Sequence, residues 1–144
     1  MSATSTLRVR RAIDTDEYSE LVGPALHRVR RQRGGLALLD DLWGSDRDED
    51  VAQGLARDVS GGGVWLAWRG DELVALALVR ERVLCALYVL GPHRRQGIAT
   101  SLVRAMIDSP TGPRDGWALP GDRATKSLYE SLGWKARLLT MRGE

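Results

Sequence analysis

The stretch Leu87-Tyr88-Val89-Leu90-Gly91-Pro92-His93-Arg94-Arg95-Gln96-Gly97-Ile98-Ala99-Thr100-Ser101-Leu102 runs from an apolar strand through a basic, glycine-bearing turn into an amphipathic helix. Such a junction suits an anion. A helix start presents backbone N–H groups without intrahelical partners and about half a positive charge from aligned peptide dipoles, so a phosphate there meets donors and favourable potential together. Gly97 lets a ligand approach the backbone, and Arg94 and Arg95 carry planar donor forks that match phosphate. The other glycine run, Gly61-Gly62-Gly63, is followed by neither Gly-Lys-Ser nor Gly-Lys-Thr, so it is not a nucleotide P-loop and reads as a helix stop.

The elements that must position this junction follow from periodicity. Leu7 and Val9 alternate with Arg8 and Arg10 as a half-solvated first strand. Asp14 and Glu17 have capping-box spacing ahead of a helix that carries Tyr18, Leu21, Val22, Ala25, Leu26 and Val29, with a bend expected at Gly23-Pro24. Gly34 to Ser45 is ambiguous, and a second helix is expected from about Asp50 to Val59. Three strand-like runs follow, Val64 to Trp68, Leu73 to Val79 and Val83 to Leu90, and the short polar breaks between them predict antiparallel hairpins. The last two runs are apolar on both faces, so helices must cover both sides of the sheet. A helix opening near Gly97 packs through Ile98, Leu102, Ala105 and Met106, and a strand follows at Gly116 to Leu119. Asp122 caps a last helix with Ala124, Leu128 and Leu132 inward, and Trp134 to Met141 closes as a strand. The order predicts a mixed α/β sandwich with a central sheet.

A chain of 144 residues is expected to form one domain over residues 1–144. Its single cysteine, Cys85, allows no internal disulfide and belongs to no zinc-like spacing, so no metal is expected and a reducing, cytoplasmic setting is the simpler reading. No apolar run approaches the roughly 20 residues of a membrane helix. A net charge of +2 argues against a nucleic-acid partner. Four arginines between Arg28 and Arg33, and six acids between Asp40 and Asp50, read as solvated faces. Those acids, with Trp43, also offer attraction and a stacking face to a cationic amine.

With this order in place, Arg94-Arg95-Gln96-Gly97-Ile98-Ala99 resembles the signature of the GNAT superfamily, the acyl-coenzyme-A-dependent N-acetyltransferases: Arg or Gln, two residues, Gly, one residue, then Gly or Ala. A second segment, Leu128-Tyr129-Glu130-Ser131-Leu132-Gly133-Trp134, is similar to the family's C-terminal Leu-Tyr-Glu followed by Leu-Gly-aromatic. The resemblance implies a GNAT-like α/β fold: a mixed, mostly antiparallel central sheet of about six strands covered by about four helices on both faces. It implies acetyl-CoA as cosubstrate, with the Leu87, Tyr88 and Val89 backbone pairing with the pantetheine arm. Amides from Arg95 through Gln96, Gly97, Ile98 and Ala99 to Thr100 would hold the pyrophosphate, with Arg94 beside them. Asp122 replaces the family's asparagine in the cofactor-side motif, and Gly91 stands where proline is common, with Pro92 one position late. Trp117 occupies the position at which some relatives carry a glutamate base.

The reaction so implied moves an acetyl group to a primary amine, of a small molecule or a peptide, by direct attack in a ternary complex. A lysine-like ammonium has a pKa near 10.4, so a group must accept its proton, and Glu81 and Glu72 at hairpin ends are the candidates, Glu81 being assigned the role. Tyr129 is the expected general acid for the departing thiolate, and a strand amide near Tyr88 or Val89 would serve the oxyanion if that strand is bulged. Cys85 invites an acetyl-cysteine route, which the absence of a nearby histidine in sequence disfavours. A short C-terminus leaves an open sheet edge or an exchanged strand in a homodimer. The contrasting reading is a GNAT-like domain that binds acyl-CoA without catalysis.

Overall fold

The computed structural model describes residues 7–141 and residue 143. The chain opens with β1 (Leu7–Arg11), a 3-10 turn (Thr15–Tyr18), α1 (Ser19–Arg31), α2 (Gly35–Trp43) and α3 (Asp48–Ser60). It continues through β2 (Val64–Arg69), β3 (Glu72–Arg80), β4 (Val83–Val89), α4 (Ile98–Ile107), β5 (Asp115–Gly116) and α5 (Arg123–Ser131). The strands form one sheet in the order β1-β2-β3-β4-β5, antiparallel except for the β4–β5 pair. The expected hairpins are present.

The sheet is covered on both faces because β2, β3 and β4 are apolar on both. Leu66, Leu76, Leu78 and Tyr88 pack under α1–α3 with Leu21, Leu39, Val51 and Leu55. Ala67, Val74, Ala77 and Leu84 pack under α4 and α5 with Ile98, Leu102, Met106 and Leu128. Each fully buried Leu or Val contributes roughly 1.5–3 kcal/mol, so these two layers dominate stability.

Four expectations need correction. The ambiguous segment is a helix, α2, bracketed by Gly34 and Gly44 in the left-handed conformation, with Leu39 and Leu42 inward. The Asp14/Glu17 capping box is formed, but it closes the 3-10 turn ahead of α1. In α5 the inward residues are Leu128 and Tyr129, and Ala124 is exposed. The sheet has five strands among the described residues rather than six. Residues 134–141 form no strand there, and Leu138, at 89% exposure, shows how little covers them. The reason lies in β5, which pairs over two residues only and offers no ladder to extend.

The opposite charge runs find each other. Arg28, Arg30 and Arg31 sit in the last turn of α1 and Asp48, Glu49 and Asp50 in the first turn of α3, the helix ends that favour each sign. Arg30 joins them through Asp48 at 2.6 Å, and Arg47 pairs with Glu49.

Candidate active site

The site is built on an irregularity in β4. Leu78 pairs with Ala86 but Val79 with Leu84, so Cys85 is an extra residue. A bulge of this kind shifts the strand's alternation by one. Cys85, Ala86 and Tyr88 therefore face α1–α3, while Leu87 and Val89 face α4 and α5. An unbroken alternation would place Cys85 on the face of Leu87, and the bulge moves it to the other.

The bulge also decides which backbone groups are free. Leu90 N donates to Val74 O at 2.8 Å, and with the register this turns the N–H and C=O of Ala86 and Tyr88 towards β3. Those of Leu87 and Val89 point to the opposite edge. There β5 pairs with Val83 and Leu84 only, the last rung being Trp117 N to Leu84 O at 2.9 Å. Among the described residues, β4 has no strand partner beside Leu87 and Val89. The expectation that Leu87, Tyr88 and Val89 all offer backbone to a ligand narrows to the outer two.

The helix start lies just beyond. Gly97 precedes α4 with φ +77°, which glycine adopts without steric cost, and a Cβ there would meet nothing within 4 Å. No side chain caps α4, so the first N–H groups, of Ile98, Ala99 and Thr100, are left without a capping partner. Arg95 is exposed and left-handed at φ +63°. Arg94 turns back instead: its Nε donates to Val89 O at 2.9 Å and its guanidinium lies 5.4 Å from the Tyr88 ring centre. Gln96 accepts from Arg69 of β2 and donates to Pro92 O, which fixes the turn to the sheet. Nothing in the sequence marked Arg69 for this role. His93 Nε2 lies 3.0 Å from Glu72, which engages one of the two candidate bases.

Tyr129 closes the same region from α5. Its hydroxyl donates to Trp117 O at 2.8 Å and its ring stacks on Trp134 at 5.2 Å. A Cβ on Gly116 would sit 2.5 Å from Tyr129 Cζ, so only glycine admits the ring there. Burial pushes the phenol well above its ordinary value of 10.0, with the charge of Asp122 adding to the effect. The Asp122 carboxylate itself accepts from Thr125 N at 3.0 Å and Thr125 Oγ1 at 2.6 Å, capping α5.

Two cavities reach β4 from the α1–α3 side. A charged cleft of ≈ 520 Å³ is lined by Asp58, Arg80, Glu81, Cys85 and Trp117 among others. Asp58 is held there by Arg80 and by Trp43 Nε1 at 2.9 Å, so Trp43 serves the fold, and the exposed indole is Trp117 at 49%. Glu81 is exposed, in the β3–β4 turn, at φ +50°. The Cys85 thiol is buried, pushed up by desolvation, and 3.4 Å from Val83 O, which makes it a small apolar group rather than a nucleophile. The second cavity, ≈ 60 Å³, is lined by apolar and aromatic residues including Ala86, Leu87 and Tyr88. Among the described residues, no group of three or more His, Cys, Asp or Glu is placed to hold a metal, and no helix is long and apolar enough to cross a membrane.

The folds of known proteins match this architecture. A GCN5-related N-acetyltransferase from Ralstonia eutropha JMP134 superposes with a TM-score of 0.67 at 16% identity, over 96% of this chain and 99% of that one. The aminoglycoside N-acetyltransferase AAC(6')-Iy, solved in complex with CoA, gives a TM-score of 0.65 at 17% identity over 99% and 98%. An aminoglycoside acetyltransferase from an uncultured soil metagenomic sample, in complex with sisomicin, gives 0.59 at 16% identity over 96% and 95%. No curated protein sequence matches the chain. Residues 60–136, more than half of the chain, match the acetyltransferase (GNAT) domain. The chain belongs to the GNAT acetyltransferase family.

Proposed function

We propose that residues 1–144 form a single N-acetyltransferase domain that moves an acetyl group from acetyl-CoA to a primary amine by direct attack in a ternary complex. The carrying observation is the conjunction of a β4 edge without a strand partner at Leu87 and Val89, where Arg94 holds only the Val89 carbonyl, with the uncapped start of α4 at Gly97. An extended pantetheine arm fits the first, as an added strand would, and a pyrophosphate fits the second. That AAC(6')-Iy was solved with CoA supports this assignment.

The amine nitrogen attacks the thioester carbonyl, the C–N bond forms, the C–S bond breaks, and the amine's surplus proton must leave. Glu81, on the rim of the charged cleft, is the proposed proton acceptor. The free N–H of Leu87 or Val89 is the proposed oxyanion donor. Tyr129 is the proposed acid, acting chiefly through its hydrogen bond. A phenol held above its ordinary value of about 10 is a weaker acid than an alkyl thiol near 8.5, so full transfer to a thiolate is uphill by at least about 2 kcal/mol. Release of free thiol from acetyl-CoA by a panel of amines tests the reading. Stoichiometric coenzyme binding with no thiol release by any amine would assign the domain to binding alone.

A further inference from the structure

The two cavities on the α1–α3 side differ in chemistry, and both meet β4 at the bulge. The larger is lined by Asp58, Arg80 and Glu81 and ends on Val83 and Cys85. The smaller lies between the three helices and the sheet, with Val22, Ala25, Leu39 and Leu55 on its walls, Ala86 and Leu87 on its β4 side, and no charged side chain in its lining. An amine entering the smaller cavity would lose its water and find no carboxylate to hold or deprotonate it. A hydrocarbon chain loses nothing there. Protein interiors leave few voids larger than a water, and a cavity of ≈ 60 Å³ exceeds that, giving room for a short hydrocarbon tail but not a long one.

Resting on the acyl-CoA reading above, we propose that this cavity is an acyl-tail pocket, and that besides acetyl-CoA the domain binds acyl-CoA donors up to butyryl, each more tightly than the one before. Leu87 belongs both to the cavity lining and to the free backbone edge proposed for the thioester arm, so a tail leaving the acyl carbonyl has this apolar space beside it. The charged cleft then remains for the amine. Ala25, half-buried on α1, and Ala86 are the smallest side chains of the lining, so a larger residue at Ala25 would take up its space.

Calorimetric titration of the full chain with CoA and with acetyl-, propionyl-, butyryl- and octanoyl-CoA tests this. The expected result is affinity rising about fourfold per added methylene, to about fifteenfold at butyryl, with no further gain at octanoyl. Ala25→Leu, a substitution that a helix tolerates, should bring the butyryl-to-acetyl ratio towards one. If that variant fails to fold, the wild-type series alone decides. Acetyl-CoA binding as tightly as butyryl-CoA would overturn the proposal. So would an Ala25→Leu protein that keeps the chain-length ratio but loses turnover with apolar amines, since the cavity would then belong to the acceptor. Failure of CoA and every thioester to bind would instead overturn the coenzyme reading itself.

Discussion

The hydroxyl of Tyr129 donates to the carbonyl oxygen of Trp117 at 2.8 Å, and Trp117 N is the last donor from β5 to β4, reaching Leu84 O. One residue therefore ends the parallel ladder with its N–H and ties down α5 with its C=O. The next rung of that ladder would use Trp117 O, so the Tyr129 bond marks the point at which the sheet edge beside Leu87 becomes free. Tyr129→Phe removes the donor and leaves a carbonyl short of a partner, which should cost about 1–2 kcal/mol by thermal unfolding. Turnover should fall while coenzyme affinity stays within about twofold. Equal turnover by the two proteins would remove Tyr129 from the reaction.

Acid should weaken the β1–α1 corner. The hydrogen bond from Arg10, with others from the Ile13 and Asp14 amides, lowers the Glu17 carboxyl from 4.5 to about 2. A group whose folded pKa is depressed contributes stability above its unfolded value, and that contribution is lost as pH falls from about 4.5 through about 2. Glu17→Gln should therefore unfold more easily than the parent at pH 7, and the gap in melting temperature should close by about pH 2. A gap independent of pH would assign the loss to the capping geometry rather than to the charge.

Gly97 carries the helix-start claim. Its φ of +77° strains any L-residue, so Gly97→Asn, which tolerates that region best, is the control for backbone cost. Gly97→Glu adds a carboxylate where phosphate is proposed, and should lower coenzyme affinity by at least about a hundredfold, against less than about tenfold for the asparagine variant. Equal losses in the two proteins would reduce the effect to backbone strain.

Much of this site was legible before any coordinates. Gly97, Arg94 and the Leu128–Trp134 segment are local patterns whose physics lies in a few adjacent residues, and the hairpins follow from apolar runs split by short polar breaks. The bulge at Cys85 was not legible, because nothing in Val83-Leu84-Cys85-Ala86 breaks the apolar run, and only the pairing with Leu78 and Val79 shows an extra residue. That shift in alternation took Tyr88's backbone out of the site. Arg94's return to Val89 O and Trp43's service to Asp58 are tertiary contacts, chosen by where α4 and α3 dock. α2 was hidden because its two bracketing glycines resemble loop punctuation, and the acids beside it divide their roles, Asp48 pairing with Arg30 of α1 while Asp41 lines the charged cleft.

The central claim is that the free edge of β4 and the start of α4 together hold coenzyme A. Amide chemical shifts of the labelled full-length protein, followed by NMR while CoA is added, test it most directly. The account predicts saturable shifts that are largest at Leu87, Val89, Ile98, Ala99 and Thr100, with Tyr88 little changed. Saturable binding whose shifts fall elsewhere on the protein, or no shift at any of these five amides at millimolar CoA, would contradict it.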